Sequence, residues 1–179
     1  MGKLVQVDTF TISSPVASII LGGGSSGSSG LNASINTDDV YMLACNNVNP
    51  STDGGVFYMR VTESGTPNTT ANYDNAFKAL RADTTFGNGY NTNSTIWSAA
   101  QIDSTTGSYN AIYYLYNFNN SSEYSFQTKE ESFVLQTSGY LFGYQGGGVF
   151  TSSSACDGVQ LFFHTGNIAS GTFTLYRCL

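Results

Sequence analysis

A single histidine, His164, limits the catalysis this chain can carry. Any Ser-His-Asp or Cys-His arrangement must use it, because each needs an imidazole to take the nucleophile's proton. His164 follows the apolar run Leu161-Phe162-Phe163 at the end of a β-patterned segment, and no G-x-S-x-G motif accompanies it. Its expected role is structural or at the surface. Hydrolysis of a glycoside needs two carboxylates across a cleft. Asp38-Asp39, Asp103, Glu130-Glu131 and Asp157 are available, but nothing in their spacing makes any two of them face each other. Asp53-Gly54-Gly55 and Asp38-Asp39 offer hard oxygen ligands for calcium in loops. Neither matches the D-x-[DN]-x-[DN]-G pattern, and turn chemistry alone accounts for both. The glycine-rich runs are not phosphate loops, since 22–30 lacks a G-K-[ST] ending and Gly146-Gly147-Gly148 leads into Val149-Phe150 in a β context. No catalytic, cofactor-binding or metal-ligating residue is assigned, and no cofactor is expected.

The three cysteines, Cys45, Cys156 and Cys178, are odd in number and widely spaced, which makes neither a disulfide framework nor a zinc site. Cys45 lies in an apolar strand pattern and is expected to be a buried free thiol. Three sequons (Asn32-Ala33-Ser34, Asn68-Thr69-Thr70 and Asn93-Ser94-Thr95) are matches that so Asn/Thr-rich a chain produces by chance. Gly87-Asn88-Gly89-Tyr90-Asn91 has the composition of an adaptable binding loop, but an ordinary solvated loop accounts for it and is the reading expected here.

Charge is scarce. Only 10% of the 179 residues are charged, against about a quarter in ordinary soluble domains, and the net charge is −6. The basic residues Lys3, Arg60, Lys78, Arg81, Lys129 and Arg177 are scattered, so a nucleic-acid partner is not expected. No apolar run reaches the length of a membrane span, so no membrane insertion is expected. The opening Met1-Gly2-Lys3-Leu4-Val5-Gln6-Val7-Asp8 has no apolar signal-peptide core. Synthesis in a cytoplasm is the reading that follows. Aromatic residues make up 14% of the chain, which sets it apart from disordered polar sequences.

Positioning falls to short strands. Period-two patterns recur at 4–12, 16–21, 39–48, 56–62, 94–102, 110–118, 132–136, 140–150, 158–164 and 171–178, with turn residues between them. The runs 39–48 and 56–62 read as a hairpin or neighbouring strands. Gly143 and Gly146-Gly147-Gly148 suggest a break in 140–150. The stretch 84–94 reads as loop. Tyr73, Ala76, Phe77 and Leu80 recur at helical spacing, so 72–81 is the one candidate helix. The Gly/Ser-rich run 22–30 reads as a loop within a single domain spanning 1–179. The predicted fold is all-β: an antiparallel β-sandwich, jelly-roll-like, with at most one short helix. Val40, Met42, Val61, Leu115, Phe162, Phe173 and Leu175 are the predicted core.

The closing segment Gly166-Asn167-Ile168-Ala169-Ser170-Gly171-Thr172-Phe173-Thr174-Leu175-Tyr176 resembles the C-terminal signature of small structural proteins of tailed bacteriophages, particularly of marine and cyanobacterial hosts. Similar features are Asp39-Val40-Tyr41-Met42, Tyr113-Tyr114-Leu115-Tyr116-Asn117-Phe118 and Cys156-Asp157-Gly158-Val159-Gln160-Leu161-Phe162. Arg177-Cys178 stands where a glycine is expected after the final Leu-Tyr, and 22–30 looks like an insertion. The resemblance implies a virion component with a jelly-roll-like fold and brings no catalytic residues. It implies copies of itself and other virion proteins as partners, with a host-surface glycan as a further candidate. The expected role is non-enzymatic, on the particle exterior, tail-associated or fibre-like. The alternatives are capsid decoration and a carbohydrate-binding or depolymerising module.

Overall fold

The computed structural model describes residues 2–23, 40–104, 108–135 and 139–179, without the side chain of Ala100. Asp38, Asp39, Asn32 and most of the Gly/Ser-rich run lie outside them. The described residues form thirteen strands and no helix. In chain order these are β1 (Leu4–Thr11), β2 (Ser18–Gly22), β3 (Val40–Pro50), β4 (Gly55–Glu63), β5 (Thr66–Pro67), β6 (Tyr73–Arg81), β7 (Gly87–Ser94), β8 (Trp97–Ile102), β9 (Tyr109–Tyr116), β10 (Ser125–Val134), β11 (Leu141–Phe150), β12 (Gly158–Phe163) and β13 (Ile168–Cys178).

An eight-stranded sheet runs β1-β13-β3-β9-β10-β11-β6-β7, and a five-stranded sheet runs β2-β12-β4-β5 with β8 also paired to β4. All pairings are antiparallel. The first four strands alternate between the sheets, and so do the last three. The first and last strands lie side by side. That is the jelly-roll-like sandwich expected from sequence. The core between the sheets is aromatic at its centre, where the Phe57 ring lies 5.0 Å from Tyr109, 5.4 Å from Phe163 and 6.3 Å from Phe173.

Five expectations need correction. The candidate helix at 72–81 is strand β6. Tyr73, Asn75 and Ala79 point inward while Ala76, Lys78 and Leu80 are exposed, so the true period is two. Apolar Ala76 and Leu80 on the outer face created the helical spacing. Residues 87–94, read as loop, form β7, which carries little burial because it is an edge. The two runs read as a hairpin, β3 and β4, belong to opposite sheets. β11 is unbroken through its glycines, pairing with β10 and β6 along its length. A Cβ at Gly148 would sit 2.7 Å from Trp97 Nε1 and 2.8 Å from Asp74 O, so a bare backbone is what lets the neighbours close in. Finally, Val61, Leu115, Phe173 and Leu175 are buried as predicted, but Val40, Met42 and Phe162 are only half-buried. Tyr41, Leu43 and Cys45 fill the core from β3, and Leu161 and Phe163 from β12. Both faces of these strands are apolar enough to hide the phase.

Candidate functional site

Four strands, β10, β11, β6 and β7, extend the large sheet beyond β9. Their inner face is sealed chiefly by β8. Trp97 of β8 donates from Nε1 to the carbonyls of Asp74 (3.2 Å) and Val149 (3.3 Å), and packs edge-on against Tyr73. Lys129, buried on β10, donates to Ser98 O of β8 at 3.0 Å and pairs with Glu131 at 2.9 Å. Its ammonium lies 4.7 Å from the Phe77 ring centre and 5.7 Å from that of Tyr144, two rings that stack on each other. Glu131 Oε1 also accepts from Tyr113 OH at 2.8 Å, and Tyr113 shares a short hydrogen bond with Tyr109. Burial, reinforced by the Glu131 charge, holds both phenols well above their ordinary range. A charge taken out of water is tolerated here because it is paired, hydrogen-bonded and faced by aromatic rings.

The outer face of the same strands is exposed. Register fixes its rows. One row reads Ile112, Glu130, Gln145, Lys78, Asn88 across β9 to β7. The next reads Tyr114, Thr128, Gly147, Ala76, Tyr90. Ser132, Gly143 and Leu80 lie on one side of these rows, and Phe126, Val149 and Asp74 on the other. Shallow grooves follow the small residues, one lined by Leu80, Asn110, Ile112, Ser132 and Gln145, another by Ala76, Tyr90, Phe126, Thr128 and Gly147. Ile112, Tyr114, Phe126, Leu80, Leu141 and Tyr90 are between 39% and 81% exposed. Single exposed apolar residues are ordinary; here six share one face of one sheet, with polar residues and glycines between them.

The residues singled out for chemistry do not converge. Exposed His164 accepts the Val56 N–H on Nδ1 at 2.9 Å, tying the end of β12 to β4. Glu130 and Glu131 face opposite sides of the sheet; Glu130 accepts from Gln145 at 3.3 Å. Asp157 accepts from Thr62 Oγ1 (2.7 Å) and Gly65 N (2.9 Å), binding the β11–β12 connection to the end of β4. Asp103 follows β8, and its N–H donates to Val134 O. Asp53 accepts from Ser104 N at 3.1 Å, a turn contact. Among the described residues, no group of three or more His, Cys, Asp or Glu side chains gathers to hold a metal ion. In one sequon, Asn68 uses its amide to accept from Thr70 and donate to Glu63.

Cys45 and Cys156 are buried free thiols, and Cys178 is half-buried. Burial pushes Cys156 up to about 11. Of the exposed face, sequence reasoning found Tyr90, through its loop-like composition, and noted the aromatic density around Tyr114. It missed Leu80, Phe126 and the alignment that makes them one surface. The available signal was the presence of apolar residues on both faces of β6, β9 and β10. With that geometry in place, comparison with known proteins adds no family: no family model, no curated protein and no solved structure matches this chain.

Proposed function

We propose that this chain is a non-catalytic structural component on the exterior of a phage particle, tail-associated or fibre-like, working by assembly and binding. The observation that carries the binding half of this reading is the outer face of β9-β10-β11-β6-β7, where exposed Leu80, Tyr90, Ile112, Tyr114 and Phe126 share one internally braced sheet. The particle half rests on the resemblance of the closing segment and the three internal runs to small virion proteins. A surface of Tyr, Thr, Asn and Ile with few charges loses little hydration on burial, which suits contacts made in many copies. Such a role asks for a stable scaffold and a presenting surface, and both are built here from the same strands.

Labelling or reconstruction of purified virions tests the reading. The expected result is density for this sandwich on the outer surface of the tail or head. Absence from the particle overturns it. So does hydrolysis of host polysaccharide by the pure protein that is lost on substitution of Glu130 or Asp157.

A further inference from the structure

We infer that the outer face of β9-β10-β11-β6-β7 packs face to face on the same face of a second copy, about a two-fold axis running along β11. This rests on reading that face as a docking surface, and names its occupant. The charge pattern carries the inference. Among the described residues, the two central rows hold one anion, Glu130, and one cation, Lys78, on opposite sides of Gln145, and the neighbouring row adds Asp74, whose carboxylate accepts from Asn93 N at 2.7 Å. An in-plane two-fold axis along β11 exchanges the two sides. Glu130 then meets Lys78 of the second copy, and Lys78 meets its Glu130, so both charges are paired at once. An in-plane axis across the strands through the same row instead sets Glu130 against Glu130 and Lys78 against Lys78, and one displaced from that row leaves both charges without an opposite partner. Electrostatics therefore favours the first arrangement. Both are isologous, as closed dimers require.

Shape agrees with charge. The exchange sets Leu80, a protruding side chain, over Ser132, which sits in the groove beside Gly143. It sets Tyr90 against Tyr114 at the two margins, and Gly147 against its own copy at the centre, where the lack of side chains lets the sheets approach. Five strands at about 4.8 Å and eight residues at about 3.4 Å give a face of roughly 19 by 27 Å. That is of the order of the surface one partner contributes to a standard interface, about 800 Å² when side-chain relief is counted. A saccharide is the competing occupant, because Tyr90, Tyr114 and Phe126 present rings on the same face; Leu80, Ile112 and Leu141, which offer a sugar neither a ring nor a hydrogen bond, are what favours a protein surface.

Sedimentation velocity of the full chain over a concentration series provides the test. The wild type is expected to dimerise. Glu130→Lys and Lys78→Glu should each weaken the dimer about tenfold or more, because each places like charges together twice. Both positions are exposed, and circular dichroism should show an unchanged fold. An equimolar mixture of the two variants should recover dimer, since every contact in the mixed pair is again opposite in sign. A wild type that stays monomeric overturns the inference, as does a dimer indifferent to both substitutions, or a mixture no tighter than either variant alone. Retained monomers that bind a glycan and lose it on Tyr90→Ala and Phe126→Ala make the face a sugar site and likewise overturn it. The two readings fail separately: a monomer found on the virion removes the dimer alone, and a charge-dependent dimer missing from the virion removes the particle role alone.

Discussion

The sandwich proper and the four-strand extension are built from one continuous sheet, yet they are held together differently. Where β13, β3 and β9 face β2, β12 and β4, the interior is mainly apolar: Ile19, Leu21, Leu43, Met59, Leu161, Phe173 and Leu175 are all essentially inaccessible, and the buried polar groups at its margin, Asp8 and Thr62, are hydrogen-bonded to Gly22 N and Asp157. Beneath β10, β11 and β6 the interior contains Gln127, Lys129, Glu131 and Asn75. The first region gains stability from burial that is nearly additive and indifferent to partner identity. The second depends on a few polar groups finding each other. The reason is coverage: among the described residues five strands face eight, and it is chiefly β8 that closes over the extension, with Trp97 and a carbonyl for Lys129. The cost of the sparsely covered strands is a polar interior.

Substitutions should separate the two regions most sharply at Lys129 and Phe173. Phe173→Ala opens a cavity in the sandwich and is expected to cost about 3–5 kcal/mol. Lys129→Met should cost a similar 3–5 kcal/mol, but for another reason: it strands Glu131 as a buried, unpaired carboxylate. The second substitution therefore has a cure. Lys129→Met with Glu131→Leu should recover most of the loss, whereas no change at a neighbour cures Phe173→Ala so simply. Urea denaturation of the single and double variants measures this. Additive losses in the Lys129/Glu131 double variant would erase the distinction between the regions.

A smaller effect is expected at Gly148, where the extension meets Trp97 of β8. A Cβ there meets the Trp97 indole nitrogen and the Asp74 carbonyl inside 3 Å, so Gly148→Ala must push Trp97 outward or bend β6. Overpacking of this kind costs about 1–3 kcal/mol. Trp97, the sole tryptophan, reports it directly: its fluorescence should shift to the red as the ring gains water. Unchanged emission together with lost stability would place the strain elsewhere.

Sequence made the sandwich legible and the extension opaque, for reasons visible in particular residues. Val56 to Val61 alternates because one face of β4 meets the core and the other is half-exposed, and the phase inferred there is the phase observed. β6 misled because Ala76 and Leu80 are apolar but point outward, so two interleaved period-two patterns imitate a helix. In β3 and β12 the same two-faced apolarity reversed the inferred inside and outside at Met42 and Phe162. β11 misled because its glycines serve close approach, which is a property of neighbours far away in sequence. Cys45 was legible as a buried thiol, since its surroundings are local. The outer face was not, because a row such as Ile112, Glu130, Gln145, Lys78 draws one residue from each of four strands, and only register unites them.

The last test uses pH. In the unfolded chain a thiol loses its proton near its ordinary value of 9.0, but in the fold burial holds Cys156 up to about 11 and raises Cys45 further still. Between those values the native state binds more protons than the unfolded state, so stability falls as pH rises. At pH 10 each thiol should have withdrawn about 1.4 kcal/mol, one unit of pH for one proton. Both thiols belong to the core cluster that includes the sandwich. Cys156→Ala should lift its share of this alkaline loss, after allowance for the small cavity it leaves at neutral pH. Above pH 10 the tyrosines join. Tyr113 is buried against Glu131, and Tyr144 is partly buried with the Glu131 charge nearby, so both resist ionisation in the fold and add a second, steeper decline. That second decline is shared: Tyr144 lies on β11 of the extension, Tyr113 on β9, and Cys45 on β3 still holds its proton above pH 10. Glu131→Gln leaves Tyr113 an acceptor while removing the charge that reinforces burial at both phenols, and it leaves Lys129 a buried cation without its counterion, a loss of about 3–5 kcal/mol at neutral pH. Beyond that loss it should soften the slope above pH 10 and leave the slope between pH 9 and 10 largely as it was. An unchanged slope above pH 10 would mean that burial alone, and not the Glu131 charge, holds the phenols protonated.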